Sequence, residues 1–222
     1  MSPPRKLFDL AAGDDSRFSP YCWRIKLALA HKNLSFETVS WRFTDKDKIA
    51  FTGQGKVPVL VDGKTSIHDS QEIAEYLETH YSNEPSLFGD APQKALTRFV
   101  KEWAESTLHP AIAKLVLPDI FEKLAAQDQP YFRQTREAAF GMTIEAIRAA
   151  RETYLPAFHA ALVPIRNTLK TQNFIAGAGP AYADHIIFGA LRWGTMMSNT
   201  PLLEPDDVIT VWMKTLLETY GL

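Results

Sequence analysis

The hydrophobic positions of this chain follow two rhythms, and the change between them divides it. In the first part, short apolar runs alternate with single amphipathic stretches. Lys6-Leu7-Phe8-Asp9-Leu10 predicts a strand. The run SPYCWRIKLALAHK, from Ser19 to Lys32, predicts a helix with Pro20 in its first turn, where the missing N–H is tolerated. Within it Cys22, Ile25 and Leu29 stand at i, i+3 and i+7, on one apolar face. Phe36 to Trp41 alternates with period two and predicts a second strand. Thr44 to Gly55 is polar and glycine-punctuated, and reads as a loop with some helix. Val57 to Val61 is a buried-strand run, Asp62-Gly63-Lys64 a turn, and Thr65 to His68 the returning strand. Ser70 to Tyr81 predicts a helix with Ile73, Tyr76, Leu77 and His80 on one face. The order β-α-β, hairpin, helix is that of a thioredoxin-like α/β unit.

After a turn-rich stretch the pattern becomes helical only. Leu96, Phe99, Val100 and Trp103 keep i, i+3, i+4, i+7 spacing, and helical patterns return over 132–169, 182–197 and 206–219. Pro130, Gly177-Ala178-Gly179-Pro180 and Pro201 to Pro205 separate them. The expected architecture is a thioredoxin-like domain over 1–84, a linker over 85–92 and an all-α helical-bundle domain over 93–222.

Composition narrows the function classes. The chain has 222 residues, 45% of them hydrophobic and 23% charged, as in ordinary globular proteins. Its formal net charge is −2, with each half close to neutral and no basic block, so nucleic acid is not an expected partner. No apolar run is long enough to span a bilayer, and Met1 to Lys6 lacks the apolar core of a signal peptide, which makes a cytoplasmic location and no membrane partner the expectation. The single cysteine, Cys22, excludes an intrachain disulfide and a cysteine-based zinc site. The six histidines are dispersed, so no metal site is expected. No nucleophile elbow, P-loop or His-Glu-x-x-His motif occurs.

Three short motifs remain. Ser19-Pro20-Tyr21-Cys22 opens a helix as the Cys-Pro-Tyr-Cys motif of a glutaredoxin does, with serine replacing the nucleophilic cysteine. Ser19 reads either as a plain N-cap or as a hydroxyl that donates to a bound thiolate, helped by the helix dipole. Cys22, on the apolar face, reads as a core residue. Val57-Pro58 opens a strand, and with a cis peptide bond would turn the Val57 backbone outward to pair with a short peptide. Asp69-Ser70 caps a helix, and the same groups could clamp an amine and a carboxylate. A thiol site, a peptide-backbone site and an α-amino-acid site in chain order match the three parts of glutathione.

On these motifs the chain resembles a cytosolic-type glutathione transferase over essentially its whole length. The stretches SPYCWRIKLAL, YFRQTREAAFG with ETYLPAF, and AYADHIIFGALRW resemble the serine-type bacterial β-aryl-etherase-like branch. The resemblance implies that Ser19 activates the glutathione thiol and that Val57-Pro58 is the cis-proline element. It implies further that Asp69 and Ser70 hold the γ-glutamyl group, with Gln54 and Lys56 as candidates for the glycyl carboxylate. Glutathione would be the cosubstrate, a hydrophobic electrophile the second substrate, and a homodimer the assembly. Tyr21, Trp103 and Trp193 are candidates for the electrophile pocket. Asp184 is expected to be buried and structural, although Ala181 stands where many relatives carry a capping Ser or Thr. Rival readings are a non-catalytic carrier of hydrophobic phenolics, a thiol reductase using Cys22, and a docking module.

Overall fold

A computed structural model describes residues 4–222, so Met1 to Pro3 of the expected first domain lie outside the described residues. Four strands, β1 (Arg5–Leu10), β2 (Phe36–Trp41), β3 (Val59–Asp62) and β4 (Thr65–His68), form one sheet in the order β2-β1-β3-β4. β1 and β2 are parallel, with Leu7 opposite Thr38, and α1 (Pro20–His31) makes their crossover. β3 runs antiparallel to both β1 and β4, the latter pairing Asp62 with Thr65 across a tight turn. α2 (Ser70–His80) follows. The thioredoxin-like order expected from the sequence is present.

β3 starts two residues later than the apolar run suggests. The Val57–Pro58 bond is cis, and proline has no N–H to place in a ladder, so pairing begins at Phe8 with Val59. The polar stretch read as a loop with some helix contains a 3-10 turn, Lys46–Thr52, ended by Gly53 at φ 71°.

α1 is buried on nearly every side. Cys22, Ile25 and Leu29 are fully enclosed, but so are Leu27 and Arg24 on other faces. The reason is α8 (Tyr182–Met197), a largely buried helix that packs on α1 from the helical side. Gly189 of α8 makes the close approach possible: a Cβ there would lie 2.3 Å from the Pro20 carbonyl oxygen. Gly189→Ala should therefore lower stability by about 1–3 kcal/mol, since overpacking outweighs the gain of about 1 kcal/mol in helix propensity. The denaturant midpoint checks this, and a rise in the midpoint would refute it.

The second half is helical throughout: α3 (Ala91–Trp103), α4 (His109–Lys123), α5 (Gln129–Phe140), α6 (Ile144–Ala149), α7 (Arg151–Leu169), α8 and α9 (Val208–Tyr220). A π-helical turn, Ala104–Leu108, joins α3 to α4 without a break. The helical pattern expected over 132–169 is carried by three helices: Gly141 ends α5 at φ 64°, and Thr143 caps α6 by accepting from the Ala146 N–H. Pro130 is no separator but lies in the first turn of α5, where proline is tolerated.

Two expected faces differ. On α3, Leu96 and Phe99 are 66% and 69% exposed, so that part of the apolar stripe points away from this chain's core, while Val100 and Trp103 pack partly against it. On α2, Ile73, Ala74 and Leu77 are buried while His80 is exposed and stacks on Tyr76 at 5.0 Å. The halves are joined by polar contacts as well as packing. The Tyr182 hydroxyl donates to the Ser70 carbonyl at 2.7 Å, and the Tyr220 hydroxyl lies 2.9 Å from both His31 Nδ1 and His185 Nε2.

Candidate active site

A cavity of about 730 Å³ opens between the two halves, where the start of α1, the Gln54–Pro58 loop and the start of α2 face α4 and α5. Its lining includes Ser19, Tyr21, Gln54, Lys56, Val57, Pro58, Asp69, Ser70 and Trp193. Residues separated by half the chain thus meet on one surface. Trp103 does not line it: that tryptophan is half-buried against the core at the end of α3. Lys101, Glu105 and His109 supply this wall instead, four residues apart on one helical face, whereas Trp103 lies two residues round from Lys101.

Ser19 caps α1. Its Oγ accepts from the Cys22 N–H at 3.2 Å, and its side chain is 3% exposed at the cavity wall. Among the described residues nothing accepts from the Ser19 hydroxyl, so that proton is available to a ligand. Cap and donor, the two readings of this serine, are compatible, because a hydroxyl has one proton and two lone pairs. Cys22 is fully buried, with its Sγ 3.8 Å from the Phe8 carbonyl oxygen, and does not line the cavity. Burial first, and then the Asp9 carboxylate, push its thiol well above the ordinary value. It is a core thiol.

The Val57 backbone has no partner among the described residues, and Val57 stands beside the first pair of the β1–β3 ladder. Asp69 has φ 70°, an uncommon conformation for a non-glycine residue. One of its carboxylate oxygens, Oδ1, accepts from the N–H groups of Gln71 at 2.7 Å and Glu72 at 3.3 Å. The cap is therefore formed, but among the described residues the Glu72 side chain returns no bond to complete a capping box. Oδ2 is left without a protein partner on an exposed residue. Ser70 is buried at the first position of α2 with its hydroxyl unbonded by protein.

Gln54 is placed at the cavity with its amide already engaged: it accepts from the Lys56 N–H at 2.6 Å and donates to the Lys56 carbonyl at 2.9 Å. It braces the loop that presents Lys56, whose own ammonium is exposed and without an acidic partner among the described residues. Lys46, not singled out in the sequence, anchors the same loop by donating to the Gly55 carbonyl at 2.7 Å.

Two further walls were missed by sequence reasoning. One is aromatic: Trp41, Phe43, Tyr131, Phe132 and Phe140, with Leu117 and Ile120 of α4 below. Phe43 touches Tyr131 and Phe132 at ring separations of 5.9 and 5.7 Å, and Thr44 holds the two segments together through Asp128, its N–H donating at 2.9 Å. Arg136 lies 5.0 Å from the Phe132 ring and has no carboxylate partner among the described residues. The other wall is polar. Arg24, fully buried, pairs with Glu105 at 2.8 Å, lies 4.7 Å from the Tyr21 ring, and stands 3.3 Å from His109 Nε2. Burial would raise the Glu105 carboxyl, but its bonds to Arg24 and Lys101 hold it below the ordinary value. His109 also meets the rings of Tyr21 and Trp193 at 5.4 and 5.9 Å.

Among the described residues no group of three or more His, Cys, Asp or Glu side chains could hold a metal ion, and no helix is long and apolar enough to cross a membrane.

Comparison with known proteins agrees with this arrangement. Residues 15–85 match the glutathione S-transferase N-terminal domain, and residues 95–214 match the glutathione S-transferase C-terminal domain. The chain is 25% identical to glutathione S-transferase F10 of Arabidopsis thaliana over 171 residues, which covers 72% of this chain and 79% of that protein. In fold it is similar to glutathione transferase GSTFuA3 from Phanerochaete chrysosporium, with a TM-score of 0.87 at 21% identity over 99% of this chain and 98% of the other. It is similar also to CsGST83044 of Ceriporiopsis subvermispora, solved in complex with glutathione, with a TM-score of 0.85 at 21% identity over 100% of this chain and 99% of that one. With both domain matches in chain order and half the sequence covered by the second alone, the chain belongs to the glutathione S-transferase family.

Proposed function

We propose that the protein is a serine-type glutathione transferase: it binds glutathione, stabilises the cosubstrate's thiolate with the Ser19 hydroxyl, and directs that thiolate at a hydrophobic electrophile. The observation that carries this reading is the Ser19 hydroxyl, buried at the N-terminus of α1 on the cavity wall, with Oγ accepting from the Cys22 N–H. A charge-assisted hydrogen bond and the positive end of a helix both favour a thiolate over a thiol there. The rest of the lining fits the remaining parts of glutathione. The open Val57 backbone can pair with the cysteinyl peptide unit, the Ser70 hydroxyl and N–H with the γ-glutamyl carboxylate, the free Asp69 oxygen with its ammonium, and Lys56 with the glycyl carboxylate. The match of the N-terminal domain and the glutathione held by the Ceriporiopsis neighbour support the same assignment.

The electrophile would sit over α4, between the aromatic wall and the Tyr21–Trp193 side. One reaction open to such a site is aryl-ether cleavage: the thiolate forms a carbon–sulfur bond at the carbon beside a carbonyl, and the phenolate leaves with the electron pair of the broken carbon–oxygen bond. The protein contributes proximity and thiolate stabilisation, while the nucleophile belongs to glutathione. The exposed Leu96–Phe99 stripe of α3 supports a homodimer, in which a second copy would cover it.

The test is glutathione titration by calorimetry and by the ultraviolet absorbance of the bound thiolate. It is followed by turnover on an α-aryloxy ketone, an enone and a benzyl halide, with the mass in solution measured alongside. Binding, a thiolate signal and turnover on one or more electrophiles are expected. Binding without turnover on any of them would favour the carrier, and no glutathione binding would overturn the reading. Buried, protonated Cys22 argues against the thiol reductase.

A further inference from the structure

His109 has a fixed hydrogen-bonding orientation that the thiolate chemistry does not use. Arg24 Nη2 stands 3.3 Å from His109 Nε2, and a guanidinium can only donate. Nε2 must therefore be the accepting nitrogen, and the proton of the neutral ring lies on Nδ1. The ring is neutral because burial, and then the Arg24 charge, push His109 down to about 3. Arg24 itself is fixed in that place by Glu105 at 2.8 Å, and Glu105 in turn by Lys101 at 3.1 Å. Nδ1 has no partner among the described residues, yet it is not one of the buried polar atoms left without a bond. Since His109 is only 8% exposed and lines the cavity, the opening that reaches Nδ1 is the cavity.

We infer that His109 presents its Nδ1–H to the electrophile as a preset donor, and that the site prefers electrophiles carrying a carbonyl oxygen beside the carbon system under attack. This deepens the transferase reading and rests on it. The geometry supplies a reason for the preference. His109 and Ala113 of α4 line the cavity one turn apart, on the side where Tyr21 and Trp193 form a ring-lined wall.

For an enone the step balances without a co-reactant. The thiolate sulfur donates an electron pair to form the carbon–sulfur bond at the β-carbon. The carbon–carbon π pair shifts to form the enolate, and the carbonyl π pair becomes an oxygen lone pair that accepts from His109 Nδ1–H. The proton lost to solvent when the glutathione thiol ionised returns from solvent to the α-carbon. A donor aimed at the oxygen that gains charge acts mainly in the transition state, so it raises kcat more than it lowers KM. A benzyl halide has no such oxygen and gains nothing from it.

The decisive quantity is the ratio of kcat/KM for benzylideneacetone to that for benzyl chloride. In His109→Leu this ratio should fall about 100- to 1000-fold, carried by kcat, in line with loss of one oxyanion donor. In His109→Gln, whose carbonyl can accept from Arg24 while its amide donates, the ratio should stay within about threefold of the parent. An unchanged ratio in a folded His109→Leu overturns the inference, as does failure of His109→Gln to restore it.

A measurement on the unaltered protein covers the case in which His109→Leu does not fold. With S-methylglutathione in the glutathione subsite, nitrogen NMR of the His109 ring should report the proton on Nδ1. That resonance should shift on adding the saturated ketone benzylacetone and not on adding butylbenzene. A proton on Nε2, or equal responses to the two, overturns the assignment. Turnover with no ketone response removes the His109 assignment alone. A ketone response with no turnover on any electrophile leaves His109 in place and removes the transferase reading.

Discussion

Replacing Ser19 with alanine is expected to lower kcat/KM on every electrophile about 10- to 100-fold at neutral pH, with glutathione affinity changed far less. A free thiol has a pKa near 8.5, so only a few per cent is ionised at pH 7. Lowering it by about two units would make the thiolate the major form and corresponds to roughly 2.7 kcal/mol. One charge-assisted hydrogen bond contributes about 1.5–3 kcal/mol of that, and the α1 dipole the remainder. The variant keeps the dipole and loses the bond, so the bound thiol should titrate nearer its free value. Its ultraviolet thiolate signal should be weak at pH 7 and recover as pH rises. The recovery is diagnostic, because a misfolded site would not regain activity on raising pH.

The same substitution removes the N-cap that accepts from Cys22 N–H, which costs about 1 kcal/mol of stability. Circular dichroism and glutathione titration of the variant separate that loss from the chemical one. Cys22→Ala is the natural comparison. It removes a buried sulfur from the core and should lower the denaturant midpoint while leaving the thiolate signal at the parent level. Loss of thiolate in Cys22→Ala but not in Ser19→Ala would reverse the assignment of the two residues.

The N-terminal half was readable because its signals are local. A serine before proline at the head of an apolar helix, an X-Pro pair at the head of a strand, and an Asp-Ser pair before another helix each report on a few consecutive residues. The sheet order then brings all three to one cavity. The helical half was readable only as helix. α4 was not anticipated: its apolar positions surround much of the helix, with Ile112, Leu115, Val116, Leu117 and Ile120 all buried, and Pro118 interrupts the pattern. The α3 stripe misled in the opposite sense, since periodicity shows that a face is apolar and not what covers it. The polar wall had no sequence signal at all. Arg24 and Glu105 are 81 positions apart and His109 is 85 from Arg24, so their pairing exists only once α1 has met the π turn and the first residue of α4. Trp103 was a candidate because its helix could line the pocket, and the π turn beyond it carries His109 to the cavity instead.

Asp184→Ala should be the most destabilising single change, costing about 3–5 kcal/mol, a large part of the 5–15 kcal/mol of a typical domain. The carboxylate is fully buried at the start of α8 and accepts four hydrogen bonds. Oδ1 takes the Ile175 N–H at 2.7 Å and the Trp212 indole N–H at 3.2 Å, and Oδ2 takes the Ala176 and Ala181 N–H groups, each at 3.1 Å. This answers the question posed by Ala181, which has no oxygen with which to cap α8. Asp184 reaches back to the cap residue's own N–H, and through the other three donors it ties the Ile175–Ala176 loop and α9 to the helix that packs behind Ser19.

Truncation to alanine leaves three backbone N–H groups and an indole N–H without a partner in a buried place, and each orphaned donor costs about 1–3 kcal/mol before any relaxation. Asparagine is no remedy. Its carbonyl can serve the Oδ1 pair, but its amide would then direct N–H groups at the N–H groups of Ala176 and Ala181, so Asp184→Asn should fall between parent and alanine variant. Burial raises the Asp184 carboxyl to about 6, against the pull of its four donors. The native state therefore holds that proton more tightly than the unfolded chain. Stability from this group declines as pH rises from 3.8 to about 6, a slope that Asp184→Asn should lack. A double-mutant cycle with Trp212→Phe isolates the indole bond. Removing the indole donor should destabilise the parent by about 1 kcal/mol more than it destabilises Asp184→Ala, where the donor has already lost its acceptor. Additive losses would show that Trp212 acts by packing alone. A cost below about 1 kcal/mol for Asp184→Ala would mean that water replaces all four bonds.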